Sequence, residues 1–317
     1  MRGSGPERGA SGRRRRPQEV LAIFGPTATG KTAVAIAFAE RLRARGEDPV
    51  AVSCDALQVY RGLEALTGAP TAAERARLEH RLVAIADVDE EFSAGRFAAL
   101  ARGEVDSLLA AGRRPLVVGG TGLYLRAALS ELELRPPVAA EIRATVEAEV
   151  AAAGPEALHR QLDPAAAAGV HPRDRKRVAR ALELQRAGLE APPADGGELW
   201  TARMRHPTLL IGLLTSRDEL AARIDARVEA MVAAGAAAEA RRADAAGASR
   251  TARAALGFDE LLRGDLETVK REHRRYARRQ LTWLRKLDEV HLIDRTGRGD
   301  DAIAAEIDEL LGENDRG

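Results

Sequence analysis

Residues 20–32 read VLAIFGPTATGKT. The opening run, Val20-Leu21-Ala22-Ile23-Phe24, is apolar and short enough to be a buried strand. The next eight residues, Gly25-Pro26-Thr27-Ala28-Thr29-Gly30-Lys31-Thr32, fit the phosphate-cradling pattern G-x-x-x-x-G-K-[ST]. Strong helix formers follow from Ala33 to Glu40. A helix N-terminus aims unpaired N–H groups and a partial positive charge at whatever lies in the loop before it. Lys31 adds a full charge, and Thr32 adds a hydroxyl suited to a metal ion. The stretch therefore predicts a site for a di- or triphosphate at the end of a buried strand.

Working outward, strand and helix patterns alternate. Residues 50–54 (VAVSC) read as a second strand ending at Asp55, and residues 82–85 (LVAI) as a short third one. Residues 92–112 have a helical period. RPLVV at 114–118 is another buried strand, closed by Gly119-Gly120-Thr121-Gly122 and a further helix. This order predicts a parallel sheet with helices on both faces. Ligands bind beyond the carboxyl ends of such strands, which puts the phosphate loop, Asp55 and Thr121 on one rim. From residue 137 to 205 only helical stretches are seen, at 139–153, 155–161 and 175–187, followed by a Pro- and Gly-rich loop at 191–197. This segment reads as a helical insertion, so the α/β core comprises 19–136 and 206–317. A strand at 209–214, helices at 218–242, 251–263 and 266–287, a strand at 290–293 and a helix at 300–311 complete it. The Arg-rich start, residues 1–18, reads as a solvated disordered tail.

With 45% hydrophobic residues and a length of 317, the chain can bury a sizeable core. Its net charge of +1 gives no global field for nucleic acid, so any such binding must come from local patches. The single cysteine, Cys54, excludes an internal disulfide and a Cys-based zinc site. No apolar run reaches membrane-spanning length, and no signal peptide is evident, which predicts a cytoplasmic enzyme.

A nucleotide hydrolase normally has a strand ending in an acid that holds the magnesium shell. Here RPLVV ends in Gly-Gly-Thr, and the acid at a strand end is Asp55. That carboxylate can orient magnesium, accept a proton from a nucleophile, or cap a turn; position alone does not separate these roles. Basic residues cluster at Arg173, Arg175, Lys176, Arg177 and Arg180, and again from Arg271 to Arg279 with Arg285 and Lys286. In the second group Arg271, Arg275, Arg278 and Arg279 fall on or beside one helical stripe, which can grip a phosphate backbone. Trp283 reads as a core residue.

Six segments in order now carry a resemblance. They are GPTATGKT (25–32), CDALQVYRG (54–62), VGGTGLYLRAAL (118–129), HPRDRKRVARALEL (171–184), ALGFDELL (255–262) and YARRQLTWLRKLDEVHLID (276–294). Together they closely resemble the tRNA dimethylallyltransferase family over nearly the whole chain. The resemblance implies a P-loop NTPase-like core, similar to nucleotide kinases, with a helical insertion that embraces the anticodon stem-loop. It implies transfer of a dimethylallyl group from dimethylallyl diphosphate, with Mg2+, to N6 of the adenosine just 3′ of the anticodon in tRNAs reading codons that begin with U.

By the same resemblance Lys31, Asp55 and Thr121 are catalytic, with Asp55 the base, and Thr32 is the metal-side hydroxyl. Ala56, Leu57 and Gln58 would line the pocket of the displaced base. The family's tRNA contacts map onto Arg143, onto Lys176, Arg177, Val178, Ala179 and Arg180, and onto Arg275, Tyr276, Arg278, Arg279 and Gln280. A monomer is expected.

Three positions depart from the family pattern: Ala69 stands where a Lys is common, Ala254 where a basic or amide residue is common, and His273 where Thr is usual. Arg253, one residue before Ala254, is the candidate replacement for a diphosphate-binding side chain. Other readings of the same residues are a small-molecule or nucleoside kinase, an enzyme that prenylates free adenine nucleotides, and a non-enzymatic RNA-binding module.

Overall fold

The computed structural model describes residues 20–132, 135, 137–190 and 203–314. The tail at 1–18 and the Pro- and Gly-rich loop at 191–197 lie outside the described residues. The elements run β1 (Val20–Phe24), α1 (Lys31–Ala44), β2 (Pro49–Ser53), α2 (Glu64–Thr67), α3 (Ala72–Arg77), β3 (His80–Arg81), α4 (Ala94–Ala110), β4 (Arg114–Gly119) and α5 (Gly122–Leu129). Then come α6 (Ala140–Ala153), α7 (Pro155–His159), α8 (Pro164–Ala168) and α9 (Arg175–Arg186). The chain closes with β5 (Thr208–Leu214), α10 (Arg217–Ala233), α11 (Ala236–Ala245), α12 (Arg250–Arg253), α13 (Phe258–Arg263), α14 (Leu266–Leu284), β6 (Val290–Asp294) and α15 (Asp300–Asn314).

The six strands form one parallel sheet in the order β3-β2-β4-β1-β5-β6. Successive side chains of a strand point to opposite faces. Accordingly Val20, Ala22 and Phe24 join one apolar cluster, while Leu21 and Ile23 join another. The second cluster lies under α1 and α15, with Val34, Phe38, Ile303 and Ile307 completely or almost completely buried. The first cluster lies under α4, α5, α10 and α14 and includes Phe97, Tyr124, Ile224 and Ala277. Both faces are covered, which is why the strands read as continuous apolar runs. The fold is the expected α/β architecture. β1 sits between β4 and β5, so the phosphate loop opens at the middle of the sheet's carboxyl edge.

Three expectations change. Residues 82–85 form no strand: Leu82 and Ala84 have positive φ angles of 61° and 54°, and only His80–Arg81 pairs with β2. The helix expected over 218–242 is broken at Gly235 (φ 99°), and the one over 251–263 at Gly257 (φ 91°). Helices α2, α3 and α8 had too few residues to show a period. Helices α6 to α9 enclose a third apolar cluster of their own, including Val146, Val150, Leu158, Val178 and Leu182. Among the described residues, no helix is long and apolar enough to cross a membrane.

Candidate active site

The loop after β1 is held from both sides. Gly30 caps α1 at φ 76°, a conformation that favours glycine, and a Cβ there would collide with the Arg295 guanidinium. Arg295 follows β6, is 3% exposed, and donates from Nη1 to the Thr29 carbonyl. The Thr29 hydroxyl donates to the Pro26 carbonyl at 2.8 Å. Lys31 Nζ donates to the carbonyls of Gly25 (3.0 Å) and Pro26 (2.8 Å), across the mouth of the loop. Lys31 is half-buried and lines the cavity. Burial, reinforced by the charge of Arg227, lowers its pKa to about 7, against the opposing pull of Asp55.

Asp55 follows β2 and lines the same cavity as Lys31, which has a volume of about 420 Å³. Asp55 Oδ1 accepts the Leu57 N–H at 3.0 Å, which turns the chain so that Leu57 and Gln58 line the cavity. The Ala56 N–H donates to Thr121 Oγ1 at 3.3 Å, and the Thr121 hydroxyl lies 3.3 Å from the Tyr276 hydroxyl. Gln58 is held by Ser53 and by the Gly68 carbonyl. Gly119 has no room for a side chain, because a Cβ would strike the Cys54 carbonyl. That close approach brings the Asp55 and Thr121 strand ends together. Burial pushes the Tyr276 hydroxyl well above its usual range, so it stays protonated. The three sequence-distant groups, loop, Asp55 and Thr121, therefore do meet on one rim.

Among the expected contact residues, three have different placements. Gln280 is 3% exposed, and its amide is fully used inside the protein. Its Oε1 accepts the Thr27 N–H at 2.8 Å and its Nε2 donates to the Gly120 carbonyl at 2.8 Å. It ties the phosphate loop to the β4–α5 turn and lines the cavity instead of the outer basic face of α14. Val178 is completely buried in the apolar cluster of α6–α9, so its side chain has no outward contact either. Arg253 does not line the cavity: it pairs with Asp244 and with Asp259 (2.9 Å) at the surface and stacks over the Phe258 ring. One residue of helix rotation, about 100°, separates it from the position it was expected to replace.

The cation that does line the cavity is Arg227 on α10, which donates to the Gly68 carbonyl at 3.1 Å. Burial lowers its pKa against the pull of Asp55 and Glu74. Sequence reasoning missed it, although a signal existed. Leu220, Ile224, Val228 and Met231 mark the buried stripe of α10, and position 227 falls beside it. A charge on that side of a helix needs a purpose.

The basic residues otherwise face outward. Arg271, Arg275, Arg278, Arg279, Arg285 and Lys286 are exposed on and just beyond α14, while Val269, His273, Ala277, Gln280 and Leu284 form its buried stripe. Arg279 also stacks over the Tyr276 ring. Lys176 and Arg177 are exposed on α9; Ala179 and Arg180 are half-buried there, and Arg180 pairs with Glu183. Arg143 is half-buried on α6. Trp283 packs flat against Gly122, as a core residue would.

The family model described as IPP transferase matches residues 58–287. The chain belongs to the IPP transferase family. It is 46% identical over 284 residues to a tRNA dimethylallyltransferase of Anaeromyxobacter dehalogenans (strain 2CP-C), spanning 84% of this chain and 92% of that one. It is 41% identical over 308 residues to the tRNA dimethylallyltransferase of Kineococcus radiotolerans, spanning 92% and 96% respectively. The crystal structure of a full-length tRNA isopentenylpyrophosphate transferase from Bacillus halodurans superposes with a TM-score of 0.67 at 34% identity, covering 93% of this chain and 96% of that one. Within this IPP transferase, Gln280→Ala should weaken binding of inorganic diphosphate about tenfold, because two buried hydrogen bonds that shape the loop are lost. Calorimetry measures this directly, and an unchanged Kd would show that the tie is dispensable.

Proposed function

We propose that this IPP transferase moves a dimethylallyl group from dimethylallyl diphosphate to N6 of the adenosine 3′ of the anticodon in tRNAs reading codons that begin with U. The observation that carries this is that Lys31 and Asp55 line one cavity and feel each other's charge. An allylic carbon–oxygen bond ionises readily when its departing diphosphate is stabilised. The amides of Gly30 to Thr32, with Lys31 and Arg227, all of which line the cavity, supply that stabilisation. The adenine amino group is a poor nucleophile, since its lone pair is delocalised into the ring. A carboxylate that takes its proton as the new bond forms makes it competent, and Asp55 is that base. Thr121 holds the nucleotide beside it, and the adenine must leave the anticodon-loop stack to arrive there.

The oxygens on hand, the Thr32 hydroxyl and the diphosphate itself, suit magnesium, a hard ion that keeps most of its waters. Thr32 would be its protein ligand. When bound, the ion neutralises charge on the leaving group. Arg143, Lys176, Arg177 and Arg180 of the 137–205 arm, with Arg275, Arg278 and Arg279 of α14, form the grip on the stem phosphates. The arm thus serves as the anticodon stem-loop clamp of a monomeric, cytoplasmic enzyme. The kinase reading is not favoured, since its relatives are transferases and β4 ends without an acid.

The test combines purified protein, dimethylallyl diphosphate, magnesium and an unmodified U-reading tRNA. A mass gain of one dimethylallyl group on the adenosine beside the anticodon is expected. No gain with release of ADP from ATP and a simple alcohol would establish the kinase instead. Neutralising Arg278 and Arg279 together is expected to weaken tRNA binding and to flatten its dependence on salt, since each phosphate contact contributes to the slope. A slope identical to wild type would remove both residues from the interface.

A further inference from the structure

His273 lies on the buried stripe of α14, 4% exposed, and lines the same cavity as Lys31, Asp55 and Arg227. Its Nδ1 is 2.9 Å from the Val269 carbonyl, one turn back along the helix. A carbonyl only accepts, so Nδ1 carries a hydrogen, and in the neutral ring Nε2 is left as the acceptor. No described residue bonds Nε2. The residue that lines the cavity thus carries one ring nitrogen not used by the described protein groups.

The surroundings decide what that edge can do. Burial lowers the ring's pKa, against the pull of the Val269 carbonyl, and the charge of Arg227 on α10 adds to the lowering. On the same helix Asp225 is taken by Arg274. α13 meets α14 through Phe258 and Leu261, both buried and apolar. Lys31, Asp55, Glu64, Glu74 and Tyr276 complete the ionisable lining. An empty cavity thus holds a neutral ring beside a cation. A diphosphate brings several negative charges, which reverses the local balance and favours the protonated ring.

We propose that His273 is a conditional cation of the diphosphate site, neutral in the free protein and donating Nε2–H to a diphosphate oxygen once the polyanion is bound. The proton comes from bulk water on binding and returns to it on release. The ring therefore adds charge only while the diphosphate is held. This rests on the reading of the cavity as a diphosphate site.

Calorimetry with inorganic diphosphate at pH 7, in buffers of different ionisation enthalpy, counts the protons taken up. Wild type is expected to take up more than His273→Asn, by a fraction approaching one proton, and to bind about tenfold more tightly. Asn can still reach the Val269 carbonyl, so the helix keeps its bond. Weaker binding with unchanged uptake would mean that the ring merely orients Arg227, and would overturn the proposal. Unchanged binding and uptake would overturn it too. Failure of wild type to bind diphosphate at all would remove the underlying site as well. Independently of any variant, wild type carrying 15N-histidine should show one Nε2 resonance of its six histidines move from acceptor to donor character on adding diphosphate. If none moves, the proposal is wrong.

Discussion

Asp55→Asn is expected to lower kcat for prenyl transfer by about a hundredfold or more while leaving the Kd for tRNA nearly unchanged. Asn keeps an oxygen in the place of Oδ1, so the bond from the Leu57 N–H survives and the turn that presents Leu57 and Gln58 is retained. What is lost is the ability to take a proton. The bond from nitrogen to the allylic carbon then forms while the amino group keeps both hydrogens, and the developing positive charge has no neighbour to relieve it. Asp55→Ala removes the turn bond as well and should add a fall in tRNA affinity. Single-turnover rates with enzyme in excess separate the two effects. If Asp55→Asn turns over at the wild-type rate, Asp55 is a turn cap and the base lies elsewhere.

The second large effect is expected from Lys31→Met, a loss of about 100- to 1,000-fold in kcat/KM for dimethylallyl diphosphate. The side chain keeps its length and loses the charge that meets the leaving group. The change should separate activity from stability. The Lys31 pKa of about 7 lies far below its ordinary 10.5, and burial is the largest cause. Between those two pH values the unfolded chain binds a proton that the folded chain has given up, so stability rises with pH across that window. Below pH 7 the folded protein carries a cation that its surroundings disfavour. Methionine removes that cost and also the bonds to the Gly25 and Pro26 carbonyls. The charge is the larger effect, so Tm at pH 7 is expected to be kept or raised as activity collapses. A Tm that falls with the activity would mean the loop depends on Lys31 for its own shape.

The central strands were legible because burial on both faces leaves no polar alternation, as VLAIF and TLLIGLL show. The same rule misled at residues 82–85, where an apolar run packs its side chains inward from a loop. Gly235 and Gly257 carried the signal for two helix breaks, since each stands where the left-handed conformation ends one helix and starts the next. Within the site, the placement of the loop, Lys31, Asp55 and Thr121 at neighbouring strand ends was readable, because type and position in the alternating pattern set it. Gln280 and Arg227 were not, because what a side chain touches depends on elements brought in from elsewhere. Gln280 sits among arginines in sequence yet points at a loop 253 positions earlier. Arg253 looked like a ligand because it is a cation near the right position, but Asp244 and Asp259 hold it at the surface.

The Arg295 guanidinium closes the loop by holding the Thr29 carbonyl. During synthesis the loop leaves the ribosome long before its latch, which lies 266 positions later in the chain. β5, the immediate neighbour of β1, also arrives only after the whole 137–205 arm. The nascent chain therefore cannot possess a finished cradle until residue 295 has been made. A message truncated before codon 295 would yield a protein with every residue of the phosphate motif and no stable place to put a diphosphate.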